Sequence, residues 1–376
     1  MTRTLWITND FPPRAGGIEQ FVHHLLERLP PDSVRVIASG WEGDAAHDAT
    51  LPYPVTRLRR PLLPTPGVLA EARRAIRDHQ PDVVVFGAAW PLGELAGRLG
   101  VPSLGFTHGH EAGLARVGFG PLIRRVARRV DALGVISGFT RRELQRWIGP
   151  YTAVHDLPPG VDVRRFHPEV DRAAARRAFQ VPDEAPLVVC VGRLVPRKGQ
   201  DVLVEAWPRV LRRHPDARLL LVGDGPLLGR LTLRVGQLGL EHRVRLAGGV
   251  DWHKLPLCHA AADLFAMPCR SRWGGLDVEG LGIVYLEAQA CGVPVLAGRS
   301  GGAPEALVPG ETGEVVDGTS PEAVAGAIAR LLDDRAALRR MGAAGRAFVE
   351  RRYAWDAIGA RLRELLQEIG DKRPSR

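Results

Sequence analysis

Lysine is almost missing from this chain. Of 51 basic residues only Lys198, Lys254 and Lys372 are lysines, and arginine supplies the rest. With abundant alanine, glycine and proline this fits a coding bias, so the number of arginines alone carries no functional weight. Cysteine is scarce too. Cys190, Cys258, Cys269 and Cys291 show no Cys-x-x-Cys spacing, which speaks against a zinc site or a disulfide frame and leaves buried or loop thiols. No apolar run approaches the roughly eighteen residues of a spanning helix. The N-terminus has no cationic region followed by an apolar stretch, and residues 4–8 run directly into a strand, so the cytoplasm is the expected location. Aromatic residues make up 6% of the chain and do not interleave with the basic clusters. No RNA- or DNA-binding motif is present, which leaves a basic nucleic-acid binder as a remote alternative.

What is present suits a soluble globular protein of two domains: 376 residues, 45% hydrophobic and 25% charged. The net charge of +9 favours acidic partners such as nucleotide phosphates or anionic lipid headgroups. No internal repeat is visible.

Strand-like runs alternate with helical ones along the whole chain. Strands are expected at 5–8, 34–39, 83–86, 103–107 and 132–137, with helices at 19–29, 69–79, 92–99, 121–130 and 138–147. Residues 57–66 are basic and proline-rich and read as a loop. The Pro-Pro-Gly-Val-Asp phrase at 158–162 leads into a linker near 163–182. Strands at 188–191, 219–222, 244–246, 264–267 and 294–297 then alternate with helices at 200–211, 255–262, 281–289, 322–332 and 335–348. A last amphipathic helix covers 355–369. Such alternation calls for α/β units with doubly wound parallel sheets, whose ligands bind beyond the carboxyl ends of the strands.

Several loops at such ends carry chemistry. Gly16 and Gly17 lie between the first strand and its helix, where a backbone can approach a diphosphate. His108 and His110 follow the strand at 103–107, and an imidazole there can also be recruited for proton transfer. Arg193 and Lys198 lie between a strand and a helix, where fixed cations stabilise a phosphate leaving group. Lys198 is also a lysine where the chain otherwise uses arginine, as a point-like ammonium requires. Glu279 and Glu287 are eight positions apart, a little over two helical turns, so a helix between them places both carboxylates on one side. Gly280 and Gly282 let the backbone come close to a ligand there. A solvated carboxylate pair and a solvated basic loop are the alternative readings of these motifs.

Taken in order, these motifs resemble the retaining glycosyltransferases of the family 4 type. The resemblance implies the GT-B arrangement: two facing Rossmann-like domains at 1–168 and 182–352, with helix 355–370 returning to the first and the active site in the cleft. It implies that Gly16 and Gly17 face the donor phosphates and that Arg193 and Lys198 hold the diphosphate. It further implies that Glu279 and a histidine, His108 in preference to His110, contact the transferred sugar, that Glu287 holds the ribose, and that the backbone near Val250 holds the base. Gly280, Leu281, Gly282, Ile283 and Val284 complete the donor pocket. No cofactor and no metal ion are expected.

The phrases NDFPPRAGGIEQF, THGHE, GRLVPRKGQD and GGLDVEGLGIVYLEAQACGVPV are similar to the actinobacterial mannosyltransferases that build phosphatidylinositol mannosides. That implies GDP-mannose as donor and a phosphoinositide glycolipid as acceptor, at the cytoplasmic face of the membrane. The arginine clusters at 57–60, 73–77 and 124–129 would then rest on anionic lipid. One departure is Trp273, a bulky residue where glycine is expected. It leaves open a family member using UDP-glucose or UDP-N-acetylglucosamine and a polysaccharide or small-molecule acceptor. A sugar-nucleotide epimerase of related fold would need an added acid/base pair, which the sequence does not display.

Overall fold

A computed structural model describes residues 1–14, 16–149 and 152–372. The chain divides into two compact units, one formed by Met1–Gly160 with Trp355–Arg376 and the other by Val161–Ala354.

The first unit contains one parallel sheet of seven strands: β1 Thr4–Thr8, β2 Val34–Ser39, β3 Val55–Leu58, β4 Val83–Phe86, β5 Ser103–Thr107, β6 Ala132–Val135 and β7 Ala153–Asp156. Their order is β3-β2-β1-β4-β5-β6-β7. Side chains alternate across the sheet. Leu5 and Ile7 join a core with Ile37, Phe86 and Leu92 on one face, while Trp6 joins Val36, Val85 and Phe106 on the other. Burial on both faces is why the central strands are unbroken apolar runs. The C-terminal helix Trp355–Asp371 belongs to this unit. Its Ile358, Leu362, Leu365, Leu366 and Ile369 recur at helical spacing and enter the core that holds Trp6.

The second unit contains β8 Leu187–Val191, β9 Arg218–Val222, β10 Val244–Gly248, β11 Leu264–Met267, β12 Val295–Gly298 and β13 Gly313–Val316, in the order β10-β9-β8-β11-β12-β13. Both units are thus Rossmann-like, with the first strand lying beside the fourth. That point, where the strand order reverses, is where open α/β sheets bind ligands.

Three strands were not expected from sequence: β3, β7 and β13. Each is the edge of its sheet and is only half-buried along much of its length, so none carries a continuous apolar run. The basic, proline-rich stretch 57–66 is not all loop: Arg57 and Leu58 close β3. Residues 92–99 form a 3₁₀ helix, Leu92–Arg98. The expected linker at 163–182 holds the helix Arg172–Ala178 and falls within the second unit. Phe166 and Ala175 enter that unit's core. Arg176 is buried and donates to the carbonyls of Ala261 at 3.0 Å and Pro182 at 2.7 Å. The chain therefore changes unit at Gly160, earlier than 168, and again at Trp355.

Candidate active site

In the second unit two loops meet at the carboxyl ends of neighbouring strands. β8 pairs with β11, Val188 opposite Leu264 and Val189 opposite Phe265. The loop after β8 runs from Gly192 through a single 3₁₀ turn, Pro196–Lys198, into the helix Gln200–Arg213. Gly199 makes the corner at φ 79°, and a Cβ there would lie 2.2 Å from the Pro268 carbonyl oxygen just past β11. Arg270 N donates to the Arg197 carbonyl at 2.8 Å, which ties the two loops together. Arg270 also grips Asp201 with both guanidinium nitrogens, at 3.0 and 2.6 Å.

Between these loops sits Glu279, 7% exposed. Its Oε2 accepts from Lys198 Nζ at 2.7 Å and from Arg197 Nη1 at 2.7 Å. Its backbone N–H donates to Ser300 Oγ at 3.3 Å, and its carbonyl accepts from Gly302 N at 2.8 Å. Burial pushes the Glu279 carboxyl upward. The Lys198 and Arg197 cations and their hydrogen bonds together outweigh burial, and its pKa lies below the ordinary carboxylate value. Glu279 is therefore ionised at neutral pH. Arg197 also reaches Asp277 Oδ1, 3.1 Å from its Nε.

Arg197 was missed in the sequence, where it is one more arginine in an arginine-rich chain. Arg193 is exposed, and its carbonyl accepts from Gln200 Nε2 at 3.2 Å.

Glu279 is not on a helix. The next helix is Ile283–Ala290, and Gly282 at its start has φ 86°, with Tyr285 ring atoms 2.6 Å from where a Cβ would be. The helical count between Glu279 and Glu287 therefore does not apply. Glu287 lies in the helix and its Oε2 is 3.4 Å from Nε2 of the fully buried His259. That contact is too poorly aligned for a hydrogen bond, and both His259 ring nitrogens lack one among the described residues. Leu281 is buried, and Gly280, Ile283 and Val284 are half-buried around the helix start. Val250 follows β10 and packs on the same core. Cys269 and Cys190 lie beneath the site, with thiols pushed up by burial to about 11 and about 12, so neither is a thiolate nucleophile.

A cavity of about 580 Å³ in this unit, lined by Arg218, Arg243 and Arg245, lies at the amino ends of β8, β9 and β10, the opposite end of the sheet.

In the first unit, Gly16 precedes the helix Gly17–Leu26. A Cβ on Gly16 would lie 2.1 Å from Glu19 Oε2, whereas one on Gly17 would meet nothing within 4 Å. Glu19 is buried and paired with Arg14 at 2.9 Å; burial raises its pKa. His108 follows β5, and its Nε2 lies 2.7 Å from the Gly87 carbonyl, just past the neighbouring β4. That carbonyl requires the proton on Nε2. The side chain of His110 lies outside the described residues. The arginine clusters are largely engaged within this unit. Arg57 pairs with Asp48 and lies over Phe11, Arg125 and Arg129 pair with Glu94, Arg74 pairs with Glu71, and Arg124 donates to the Trp147 carbonyl.

A family described as Glycosyltransferase Family 4 matches residues 15–165, and one described as Glycosyl transferases group 1 matches residues 171–348. A protein of Mycolicibacterium smegmatis named GDP-mannose-dependent alpha-(1-6)-phosphatidylinositol monomannoside mannosyltransferase is 45% identical, over 96% of this chain and 97% of its own. A Corynebacterium glutamicum protein named for the monoacylated form of the same acceptor is 44% identical over 97% and 98%. Among solved structures, an Anabaena protein, Alr3699/HepE, in complex with UDP superimposes with a TM-score of 0.83 at 20% identity, over 97% of this chain and all of that one. Sucrose-phosphate synthase from Thermosynechococcus elongatus gives 0.80 at 24%, over 98% and 99%. These two share the fold. The chain belongs to the glycosyltransferases of family 4, group 1 type, and it is a transferase.

Proposed function

We propose that this protein moves an α-mannosyl residue from GDP-mannose to a hydroxyl of phosphatidylinositol monomannoside, with retention at the anomeric carbon. The observation that carries this is the near-full-length similarity to proteins named for that reaction, at 45% identity.

The chemistry follows from the second unit. Transfer breaks the bond between the anomeric carbon and the diphosphate oxygen and forms a bond to the acceptor oxygen on the same face. The acceptor proton passes to the departing phosphate oxygen, so no protein base is required. Negative charge grows on the diphosphate as the bond breaks. Arg193 and Lys198 neutralise it, and charge held ready in the free enzyme needs no reorganisation at the moment of reaction. Glu279 holds Lys198 while no donor is bound; on donor binding the diphosphate takes the ammonium, and the Glu279 carboxylate accepts from sugar hydroxyls. Glu287 takes the ribose hydroxyls. Metal chemistry has no assigned part.

Among the described residues no helix is long and apolar enough to cross a membrane. A lipid acceptor then requires the protein to work at the bilayer surface. Val117 and Phe119, 53% and 43% exposed on one turn, supply apolar contacts for that.

The test is a donor panel of GDP-mannose, UDP-glucose and UDP-N-acetylglucosamine against purified phosphatidylinositol monomannoside, with products identified by mass. A dimannosylated lipid from GDP-mannose alone is expected. Preferential use of a UDP-sugar, or no product on this lipid while a membrane extract yields another, overturns the assignment.

A further inference from the structure

Trp273 is the aromatic residue that the site described above leaves unused. It is 68% exposed, and its backbone sits at φ 50°. A bulky residue in the left-handed region is a rare and costly arrangement. Gly274 and Gly275 follow at φ 64° and 90°, so the chain makes three left-handed residues in succession, two of which are glycine.

The loop around it is braced. Arg272 N donates to the Asp277 carbonyl at 2.9 Å, and Asp277 N returns to the Arg272 carbonyl at 3.3 Å. Asp277 then joins Arg197, which holds Glu279. Ser271 Oγ and Ser300 Oγ are 3.2 Å apart, and Ser300 also receives the Glu279 N–H. The tip carrying Trp273 is thus fixed at its base to the same ion cluster that holds the Glu279 carboxylate. At the tip the Arg272 guanidinium lies over the indole, 4.7 Å from the ring centroid. Open space surrounds the adjoining Gly274, where a Cβ would meet nothing within 4 Å.

We propose that Trp273 is a ring-stacking subsite for the acceptor's sugar or cyclitol ring. The inference rests on the glycosyl-transfer assignment above. A pyranose or inositol ring has one face of C–H groups and an edge of hydroxyls. An indole offers a large, rigid apolar plane at low entropic cost. Arg272 covers one face of it, which leaves the other to pack on the C–H face of a ring. Arg272, Asp277 and Ser271 surround the tip with the donors and acceptors that ring hydroxyls require. An aromatic plane ringed by charged and hydroxyl groups suits a carbohydrate better than a lipid chain, which would strip those groups of water and offer them no hydrogen bond in return. The Trp273 carbonyl accepts from Leu276 N at 3.3 Å, which closes the turn, while the exposed indole carries Arg272 on one face; a strained backbone of this kind is found where strain serves binding.

The experiment compares wild type, Trp273→Gly and Trp273→Phe by steady-state transfer from GDP-mannose to phosphatidylinositol monomannoside, with thermal melts of each. Glycine suits the left-handed position, so Trp273→Gly is expected to melt no lower than wild type. Its acceptor KM is expected to rise roughly tenfold, with the donor KM within about twofold of wild type, and Trp273→Phe to recover most of the loss. An unchanged acceptor KM in Trp273→Gly, or acceptor and donor KM rising together, overturns the subsite while leaving the transferase assignment intact. A wild-type protein inert towards this lipid overturns the assignment and the subsite with it.

Discussion

Lys198 Nζ stands 2.7 Å from Glu279 Oε2, and the two residues are 81 positions apart in the chain. An ammonium and a nearly buried carboxylate held this closely are each the other's charge compensation. If the donor diphosphate binds here, as we propose, it competes with Glu279 for Lys198, and both cations of the cluster, Lys198 and Arg197, are already held in place.

Removing that ammonium should be the most damaging single change. Lys198→Ala is expected to lower kcat by roughly two to three orders of magnitude, if Lys198 contributes about 3–4 kcal/mol to the transition state. Single-turnover transfer from GDP-mannose measures this. Unchanged turnover would remove Lys198 from the mechanism.

Arg197 spans two carboxylates, Asp277 and Glu279, as only a planar fork can. Arg197→Ala is expected to cost roughly tenfold to hundredfold in kcat/KM, and Arg197→Lys to restore only part of it, because a charge-assisted hydrogen bond is worth about 1.5–3 kcal/mol. Equal activity of the lysine variant and wild type would show that charge alone suffices.

The Glu279 carboxyl titrates below its ordinary value of 4.5. Its folded pKa is depressed, so its contribution to stability is complete above about 4.5 and is lost as the pH falls through the folded pKa. Melting curves of wild type and Glu279→Gln across the acidic range isolate this contribution. The difference between the two proteins should be constant near neutrality and shrink on acidification below about pH 4.5. A gap that widens on acidification would mean that the carboxyl is not held by Lys198 and Arg197.

If Arg193 and Lys198 supply the charge that the leaving diphosphate needs, excess EDTA should leave the transfer rate within about twofold of the untreated enzyme. Loss of activity under EDTA, restored by magnesium or manganese, would assign that charge to a bound ion instead.

Val117 and Phe119 expose apolar side chains on one turn beside Arg116, whose guanidinium pairs with Glu143. Sedimentation with vesicles containing phosphatidylinositol should exceed that with phosphatidylcholine alone and weaken with salt. Phe119→Glu should lower it several-fold. Equal binding of the variant would place the membrane contact elsewhere.

The alternating α/β pattern, both doubly wound units and the loops that carry Lys198 and Glu279 are legible in the order of amino acids, because central strands buried on two faces are unbroken apolar runs and their terminal loops hold glycine and charge. β3, β7 and β13 stay hidden there, since edge strands bury too little to show a pattern. A helical count pairs Glu279 with Glu287, and it does not hold because the helix starts only at Ile283, after Gly282 at φ 86°. That Glu279 turns to Lys198 and Arg197 while Glu287 turns to His259 emerges in the folded chain alone. The reason is the pairing of β8 with β11, which brings two loops some 80 residues apart in the chain to one end of the sheet, a neighbourhood that no local spacing encodes. The same pairing singled out Arg197 from the chain's many arginines.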